Sequence, residues 1–528
     1  MSSVASLLSL TLLQAQAVTV GVDLAKDLRP ISPYVYGTNT SDWSGRTKYL
    51  TMWRWGGNRT TAYNWENNAS HAGRDWAHQN DSFLGGGDIP GEALRAPLTA
   101  AVAAGAAALV TVPCIGYVAA DKNGGGDVNQ TPNYLDVRFH PSYATKGSAF
   151  SNPPNVNDHA VYQDEFVAWL LNRVVTDRPI WFALDNEPDL WAETHPRIQT
   201  QKPTYAGIME ISKRYAQAIK SVAPDSLVFG PASYGWSGYD SFQAASDANG
   251  RFFLDFYLQN FRTLQEQTGK RYLDVLDLHW YPEARGAGKR ITEDGTEQGL
   301  YTARMQAPRS LWDPTYTEDS WIAQWGTQGP IRLVPRMLEK IAGNYPGTKL
   351  AFTEWNYGGG GHITGGIAAA DVLGIFGREG VFAANYWDIK DDESFAYGGF
   401  AMFRNFDGQG ARFGDISVRA ASGDVAKVTA YASRDSLYKN EVTVVLINKQ
   451  FTSTPVNLTL AGADGFQPVI AARLSSASPR PSPIALPAVS GSTVNLTLPA
   501  LTVTTLRFNR FTGPRPGGPI MLPKPKGR

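Results

Sequence analysis

The chain has 528 residues, of which 43% are hydrophobic and 18% charged, and its 48 Lys and Arg balance 48 Asp and Glu to a formal net charge of zero. That composition excludes a disordered, fibrous or collagen-like chain, and the length allows roughly two to four folding units. Without net charge or a long cationic run, nothing would attract nucleic acid or an anionic membrane, so a neutral partner is expected.

Fifteen Trp, 23 Tyr and 23 Phe make up 12% of the chain. The apolar faces of sugar rings stack on Trp and Tyr, so aromatic loops on an uncharged protein suggest carbohydrate; a large aromatic core is the competing reading. The single cysteine, Cys114, excludes an intrachain disulfide and a Cys-based zinc site.

In chain order, an apolar stretch over residues 4–13 and the Ala15-Gln16-Ala17 site have the features of a secretory signal over 1–17, although no Lys or Arg precedes the stretch. A secreted protein is expected. No segment reaches about 18 uninterrupted apolar residues, so no membrane span is expected. Val18, Val20, Val22 and Leu24 then alternate with smaller or polar residues, as in a half-buried strand.

From Val35 to Asp388 short apolar runs are separated by longer helical patterns, the mark of βα units. Eight strands are predicted, at Val35–Asn39, Met52–Gly56, Ala108–Gly116, Trp181–Pro188, Leu227–Ser233, Val275–Pro282, Lys349–Trp355 and Phe382–Asp388. Helical patterns lie at Gly91–Ala107, Asp158–Val174, Thr204–Val222, Arg251–Gln267, Ile331–Asn344 and Ile367–Arg378. The first crossover, Thr40 to Thr51, is too short for a full helix. This pattern predicts an α/β fold, a (β/α)8 TIM barrel over 35–395, with its active site where the strands end. The loop from Glu283 to Pro330 carries Trp312, Tyr316, Trp321 and Trp325 and follows the sixth strand, which places it on the catalytic rim.

From about Phe400 short alternating runs take over, at Lys427–Ala432, Glu441–Asn448, Val456–Leu460, Thr493–Leu498 and Leu501–Phe508. They predict an antiparallel β-sandwich. The opening strand is expected to complete it, so that 18–34 and 396–510 form one domain from both ends of the chain. Val-Asn-Leu-Thr-Leu occurs at Val456 and again at Val494, a strand preference rather than a repeat. The Pro/Gly-rich tail over 511–528 is expected to be disordered.

Two glutamates end separate predicted strands, Glu187 in Asp185-Asn-Glu-Pro-Asp189 and Glu354 in Thr353-Glu-Trp-Asn-Tyr357. A carboxylate after an apolar strand interior costs desolvation and gains nothing from packing. The fourth and seventh strands of a barrel lie on opposite sides of its mouth, so the two can face each other across a bound bond. At about 5–5.5 Å apart they would support double displacement with net retention; two structural rim carboxylates in ion pairs are the alternative. Asn186 is a candidate donor to a sugar 2-hydroxyl or a turn former before Pro188. Tyr281 is a candidate to orient the nucleophilic carboxylate, with His279 beside it or satisfied in the core. Trp387 is a stacking floor or a core residue, and Arg54 holds a carboxylate or makes a structural ion pair.

The run from Trp53 to Ser70, Trp-Arg-Trp-Gly-Gly-Asn-Arg-Thr-Thr-Ala-Tyr-Asn-Trp-Glu-Asn-Asn-Ala-Ser, with Asp185-Asn-Glu-Pro-Asp189, Leu278-His-Trp-Tyr-Pro282, Ser310-Leu-Trp-Asp-Pro-Thr-Tyr316 and Thr353-Glu-Trp-Asn-Tyr357, resembles glycoside hydrolase family 44. The resemblance extends from Val18 to Asn509. It implies a retaining, endo-acting β-1,4-glucanase or xyloglucanase acting on xyloglucan, cellulose, mixed-linkage glucan or glucomannan, with Glu187 as acid/base and Glu354 as nucleophile. Trp65, Trp325 and Trp355 join Asn186, Arg54, Tyr281, His279 and Trp387 as expected substrate-binding residues. Family members are often joined to cellulose-binding or dockerin modules; neither is seen after Asn509, so a free, monomeric enzyme is expected. No cofactor is expected for the reaction. Some members bind a structural calcium ion, for which Glu66 and Asp158 are candidates, without EF-hand spacing. The rival reading is a non-catalytic carbohydrate-binding or scaffolding protein, which would have no need of opposed carboxylates.

Overall fold

A computed structural model describes residues 16–463 and 465–509. The expected leader, apart from residues 16 and 17, and the expected tail lie outside the described residues. The barrel strands are β1 (Gly37–Thr38), β2 (Met52–Trp55), β3 (Ala107–Val112), β4 (Ile180–Leu184), β5 (Val228–Tyr234), β6 (Val275–Trp280), β7 (Lys349–Trp355) and β8 (Ala383–Tyr386). They are parallel throughout and close on themselves through β8–β1 and β3–β4 pairing. All eight coincide with predicted strands, though several are shorter. Pro33–Val35 forms a 3₁₀ turn that trims the first, and β4 stops at Leu184 because Asp185 turns left-handed.

Helices at Glu92–Ala103, Gln163–Arg173, Tyr205–Val222, Phe253–Thr268, Leu333–Asn344 and Ile363–Glu379 fill the crossovers, and residues 40–51 contain none. Tyr205–Val222 illustrates how sequence sets them. Thr204 caps its start by accepting the Gly207 N–H at 3.0 Å, Tyr205, Ile208, Met209, Tyr215, Ala216 and Ile219 recur at helical spacing on the buried face, and Pro224 follows its end. The predicted helix Asp158–Val174 begins only at Gln163, because Val161–Tyr162 is spent pairing with Ser142–Tyr143.

Strand alternation sorts the barrel into two cores. Met52, Leu109, Trp181, Ala183, Phe229, Val275, Ala351 and Ala383 fill its interior. Their neighbours Trp53, Ala108, Phe182, Leu276 and Phe352 face the helices. With both faces buried, these strands read as nearly continuous apolar runs. Continued towards the C-terminal mouth, the inward set becomes Arg54 on β2 and Asp277 and His279 on β6. On β7 a register shift leaves Thr353 unpaired, so that Glu354 lies opposite His279.

The second domain is one strand path folded into two layers: Ser478–Pro483, Gln467–Ser475, Thr502–Asn509, Glu441–Asn448, Val428–Arg434, Ile416–Ser422, Val18–Asp23, Thr454–Ala461, Thr493–Leu498 and Val489–Ser490. The opening strand lies in the middle of it, antiparallel to Ile416–Ser422 and parallel to Thr454–Ala461. Val20 and Val22 meet Val444, Leu446, Leu458 and Phe508 between the layers. The prolines of Ser478–Pro483 are tolerated because that strand is at an edge. The outer face of Val428–Arg434 and Glu441–Asn448 is buried too: Tyr431, Val445 and Ile447 belong to the core that includes helix Ile363–Glu379. That contact also holds a charge. Lys449 Nζ lies 2.6 Å from Asp371 Oδ2, both side chains no more than 1% exposed, while Tyr431 Oη and Thr429 Oγ1 donate to Oδ1 at 2.6 and 2.7 Å.

Candidate active site

At the C-terminal mouth a cleft of about 490 Å³ is lined by Glu187, Glu354, Asn186, Tyr281 and Trp387, together with Gly57, Asn58, Asp75, Tyr234, Arg290, Thr292, Ile389 and Lys390. Arg54, fully buried below it, donates Nη1 to Glu354 Oε1 at 2.7 Å and Nη2 to Asn186 Oδ1 at 2.7 Å. Tyr281 Oη donates to the other Glu354 oxygen at 2.8 Å. Burial lifts the Tyr281 phenol well above its ordinary range, so it stays a neutral donor. A guanidinium and a phenol thus grip one carboxylate by both of its oxygens.

His279 links the two sides. Its Nδ1 is 2.8 Å from Glu187 Oε1 and 3.4 Å from Glu354 Oε2, and Arg54 Nη2 is 3.3 Å from its Nε2. A guanidinium only donates, so Nε2 accepts and Nδ1 carries the proton. Burial holds the ring neutral, its pKa lowered to about 3. Glu187, by contrast, is pushed up to about 8, first by burial, with Arg54 opposing and Asp75 adding. One ligand atom each from Glu187, His279 and Glu354 lie within 4.8 Å of one another.

The backbone is bent to make this possible. Asp185 (φ 65°) and Glu187 (φ 44°) are both left-handed, a strained state that persists where surroundings enforce it. Asp185 accepts the Asn186 N–H at 2.7 Å and the N–H of Cys114 on the neighbouring β3 end. Across the cleft, Gly56 and Gly57 are required. A Cβ at Gly56 would fall 2.2 Å from the Arg54 guanidinium carbon, and one at Gly57 (φ 95°) 2.5 Å from the Trp387 ring. The Gly57 N–H also donates to Asn186 Oδ1 at 3.1 Å, leaving the Asn186 NH₂ to donate into the cleft.

A family model described as glycoside hydrolase family 44 matches residues 69–284, a span that includes Glu187 and His279. The fold is similar to a family 44 xyloglucanase from Paenibacillus polymyxa at 38% identity and TM-score 0.89, covering 94% of this chain and all of that one; that enzyme has also been solved with xyloglucan. The chain belongs to glycoside hydrolase family 44. It is also 43% identical over 471 residues, 84% of its length, to endoglucanase A of Paenibacillus lautus, and 42% identical over 456 residues, 80% of its length, to a beta-mannanase/endoglucanase A of Caldicellulosiruptor saccharolyticus. It spans 65% and 33% of the lengths of those two curated relatives.

This family 44 chain departs from several sequence expectations. Trp65 is 1% exposed, wedged between Phe166 and Trp169. Trp355 is fully buried against Phe376 and Phe400. Neither is available to a sugar: the residue after an inward Glu354 faces the helix layer, and Trp65 plugs the base of the loop that follows β2. Trp312, beneath Arg378, and Tyr316, beside Arg309, are half-buried and are not among the residues lining the cleft. Trp325 is 76% exposed on the turn Ile322–Gly326, but is not among the residues lining the cleft. Glu66 lines a separate hollow of about 620 Å³ with Asp121, Asp136, His140 and His159. Burial, then the charges of Asp158 and Glu165, push it up to about 8, with Lys146 opposing. Among the described residues the one metal-capable trio within 4.8 Å is that of Glu187, so Glu66 and Asp158 are not brought together with a third ligand at that distance.

Sequence reasoning missed Asn58, Asp75, Tyr234, Arg290, Thr292 and Lys390. Tyr234 ends β5 and lies beside Tyr281, ring centroids 6.2 Å apart, and Arg290 Nη2 donates to the Tyr281 carbonyl at 2.7 Å. Tyr234 ends a strand as Glu187 nearly does, and that position was the signal that could have found it. The others come from loops whose course no periodicity gives.

Proposed function

We propose that this chain is an endo-acting hydrolase of β-1,4-glucan backbones that works by double displacement with retention. The observation that carries this reading is that one oxygen of Glu187 and one of Glu354 lie within 4.8 Å of each other, in keeping with the short carboxyl separation of retaining glycosidases and not with the roughly 6.5–9.5 Å of inverting ones. Glu354, held by Arg54 and Tyr281, attacks the anomeric carbon. The C1–O electron pair passes to the leaving oxygen, which takes the proton that burial keeps on Glu187. Glu187 then takes a proton from water as that water attacks C1 of the glycosyl ester and Glu354 leaves. Asn186 donates its NH₂ to the neighbouring 2-hydroxyl, and Trp387 floors the reacting sugar.

Xyloglucan is the favoured backbone, supported by the xyloglucan-bound relative, with cellulose, mixed-linkage glucan and glucomannan as further substrates. A polymer of that size goes with secretion, in keeping with the apolar 4–13 stretch. Reducing-sugar release from xyloglucan, carboxymethyl cellulose, lichenan and glucomannan tests the whole reading. Wild type is expected to release most from xyloglucan and Glu187→Gln at least about 100-fold less from every substrate without a good leaving group. Equal release by the two proteins would end the acid/base assignment.

Calcium is proposed only as a structural ion. Glu66 is 5% exposed, and Glu165 Oε2 is buried without a partner while Oε1 takes Lys146 at 2.6 Å. A buried carboxylate oxygen without a partner suits a hard cation, which Glu66, Asp158 and Glu165 would hold only by closing to a spacing the structure does not give them. Chelation is expected to lower Tm by several degrees in wild type and to leave Glu66→Gln unchanged; equal Tm with and without chelator in wild type would dismiss the ion.

A further inference from the structure

Phe83 is 73% exposed, yet its ring rests on a neighbour that is itself fixed. The Arg59 guanidinium lies 4.1 Å from the centre of its ring. Arg59 is in turn fixed by Asp81, Nη1 to Oδ1 at 2.7 Å, in a pair with both side chains only 14% exposed. Asp81 Oδ1 also accepts the Phe83 N–H and the Ser70 hydroxyl, each at 3.1 Å, and Gln79 donates to Oδ2 at 3.1 Å. An exposed apolar ring gains nothing for the fold by being fixed. An aromatic face immobilised in water is, however, what a sugar ring needs, since the entropy of ordering the side chain is already spent.

The ring also stands in a suitable place. Phe83 borders a hollow of about 480 Å³ lined by Leu84, Trp55, Gly56 and Arg54. Gly56 adjoins Gly57, a wall of the catalytic cleft, and Arg54 holds Glu354 from below. The hollow opens where the β1–β2 crossover lacks a helix, so the barrel wall there is not covered as it is elsewhere. Leu84 and Trp55 supply apolar floor, and Asn39, Ser41 and Glu92 supply polar rim.

We infer that Phe83 is a stacking platform for a pyranose of the same glucan chain, distal to the bond being cleaved, with Arg59 and Asp81 as its positioning pair. The inference rests on the glucanase reading above. Cello-oligosaccharides of graded length test it. For wild type, kcat/KM is expected to rise as the chain grows long enough to reach the hollow. Phe83→Ala should lose about 3- to 10-fold on the longest oligosaccharide, through KM with kcat unchanged, and least on the shortest one hydrolysed. Phe83→Trp should restore the rise. Arg59→Met should move KM in the same direction, and Arg59→Lys should return part of it. A Phe83→Ala length profile that superimposes on wild type overturns the platform and leaves the glucanase reading intact. A wild type that cleaves no β-glucan of any length removes both.

Discussion

Glu354→Ala is expected to hydrolyse xyloglucan about 10,000-fold more slowly than wild type or worse, and to recover part of the rate when azide is added. The substitution empties the space between Arg54 Nη1 and Tyr281 Oη, which are 2.7 and 2.8 Å from the carboxylate oxygens they serve. A small anion finds there the two donors the carboxylate had. Azide nitrogen then bonds to C1 from the side Glu354 would have used, while the leaving oxygen takes the Glu187 proton. The product is an α-glycosyl azide, its configuration inverted. Glu354→Gln keeps the volume filled and should be equally slow without rescue, which separates loss of the nucleophile from loss of the fold. A β-configured azide from Glu354→Ala, or none, would count decisively against the assignment.

The largest stability effect is expected far from the cleft, at Lys449. Both it and Asp371 are cut off from water where the sandwich meets helix Ile363–Glu379. Burial pulls the Lys449 ammonium below its usual range, with Asp371 opposing. Lys449→Met leaves the Asp371 carboxylate with only the Tyr431 and Thr429 hydroxyls for compensation. The cost of stranding a buried charge is about 3–5 kcal/mol. Equilibrium urea unfolding should show that loss for Lys449→Met and recovery of most of it in Lys449→Met with Asp371→Leu, because apolar groups of similar volume can replace a buried ion pair at little net cost. A single variant within about 1 kcal/mol of wild type would mean that water reaches Asp371 after all.

What the sequence made legible came from short apolar runs between helical patterns. Eight of them located the barrel strands, and Arg54 and His279 were read at the ends of two of these; the structure adds that both face inward, in line with Met52 and Val275. Glu187 and Glu354 stood out because nothing in a strand interior rewards a carboxylate. Trp65 and Trp355 were misread because tryptophan serves cores and sugars equally well, and only coordinates distinguish the two uses. The β7 irregularity that leaves Thr353 unpaired has no glycine or proline to announce it. Five strands of the sandwich went unpredicted: Arg29–Pro30, Ile416–Ser422, Gln467–Ser475, Ser478–Pro483 and Val489–Ser490. Their alternation is interrupted by alanine, arginine or proline, and their burial is decided by the neighbouring sheet.

The place of Val18–Asp23 bears on how the chain is born. This strand is nearly the first segment of the described chain to leave the ribosome, yet its neighbours are Ile416–Ser422 and Thr454–Ala461. At translation rates of about 5–20 residues per second, it waits tens of seconds for them. Throughout that interval Val18, Val20 and Val22 have no mate, and the barrel must assemble beside an unsatisfied hydrophobic ribbon. Completion of the sandwich is therefore timed by the arrival of residues 416–461, and a truncation that removed them would orphan the opening strand as surely as it removed its partners.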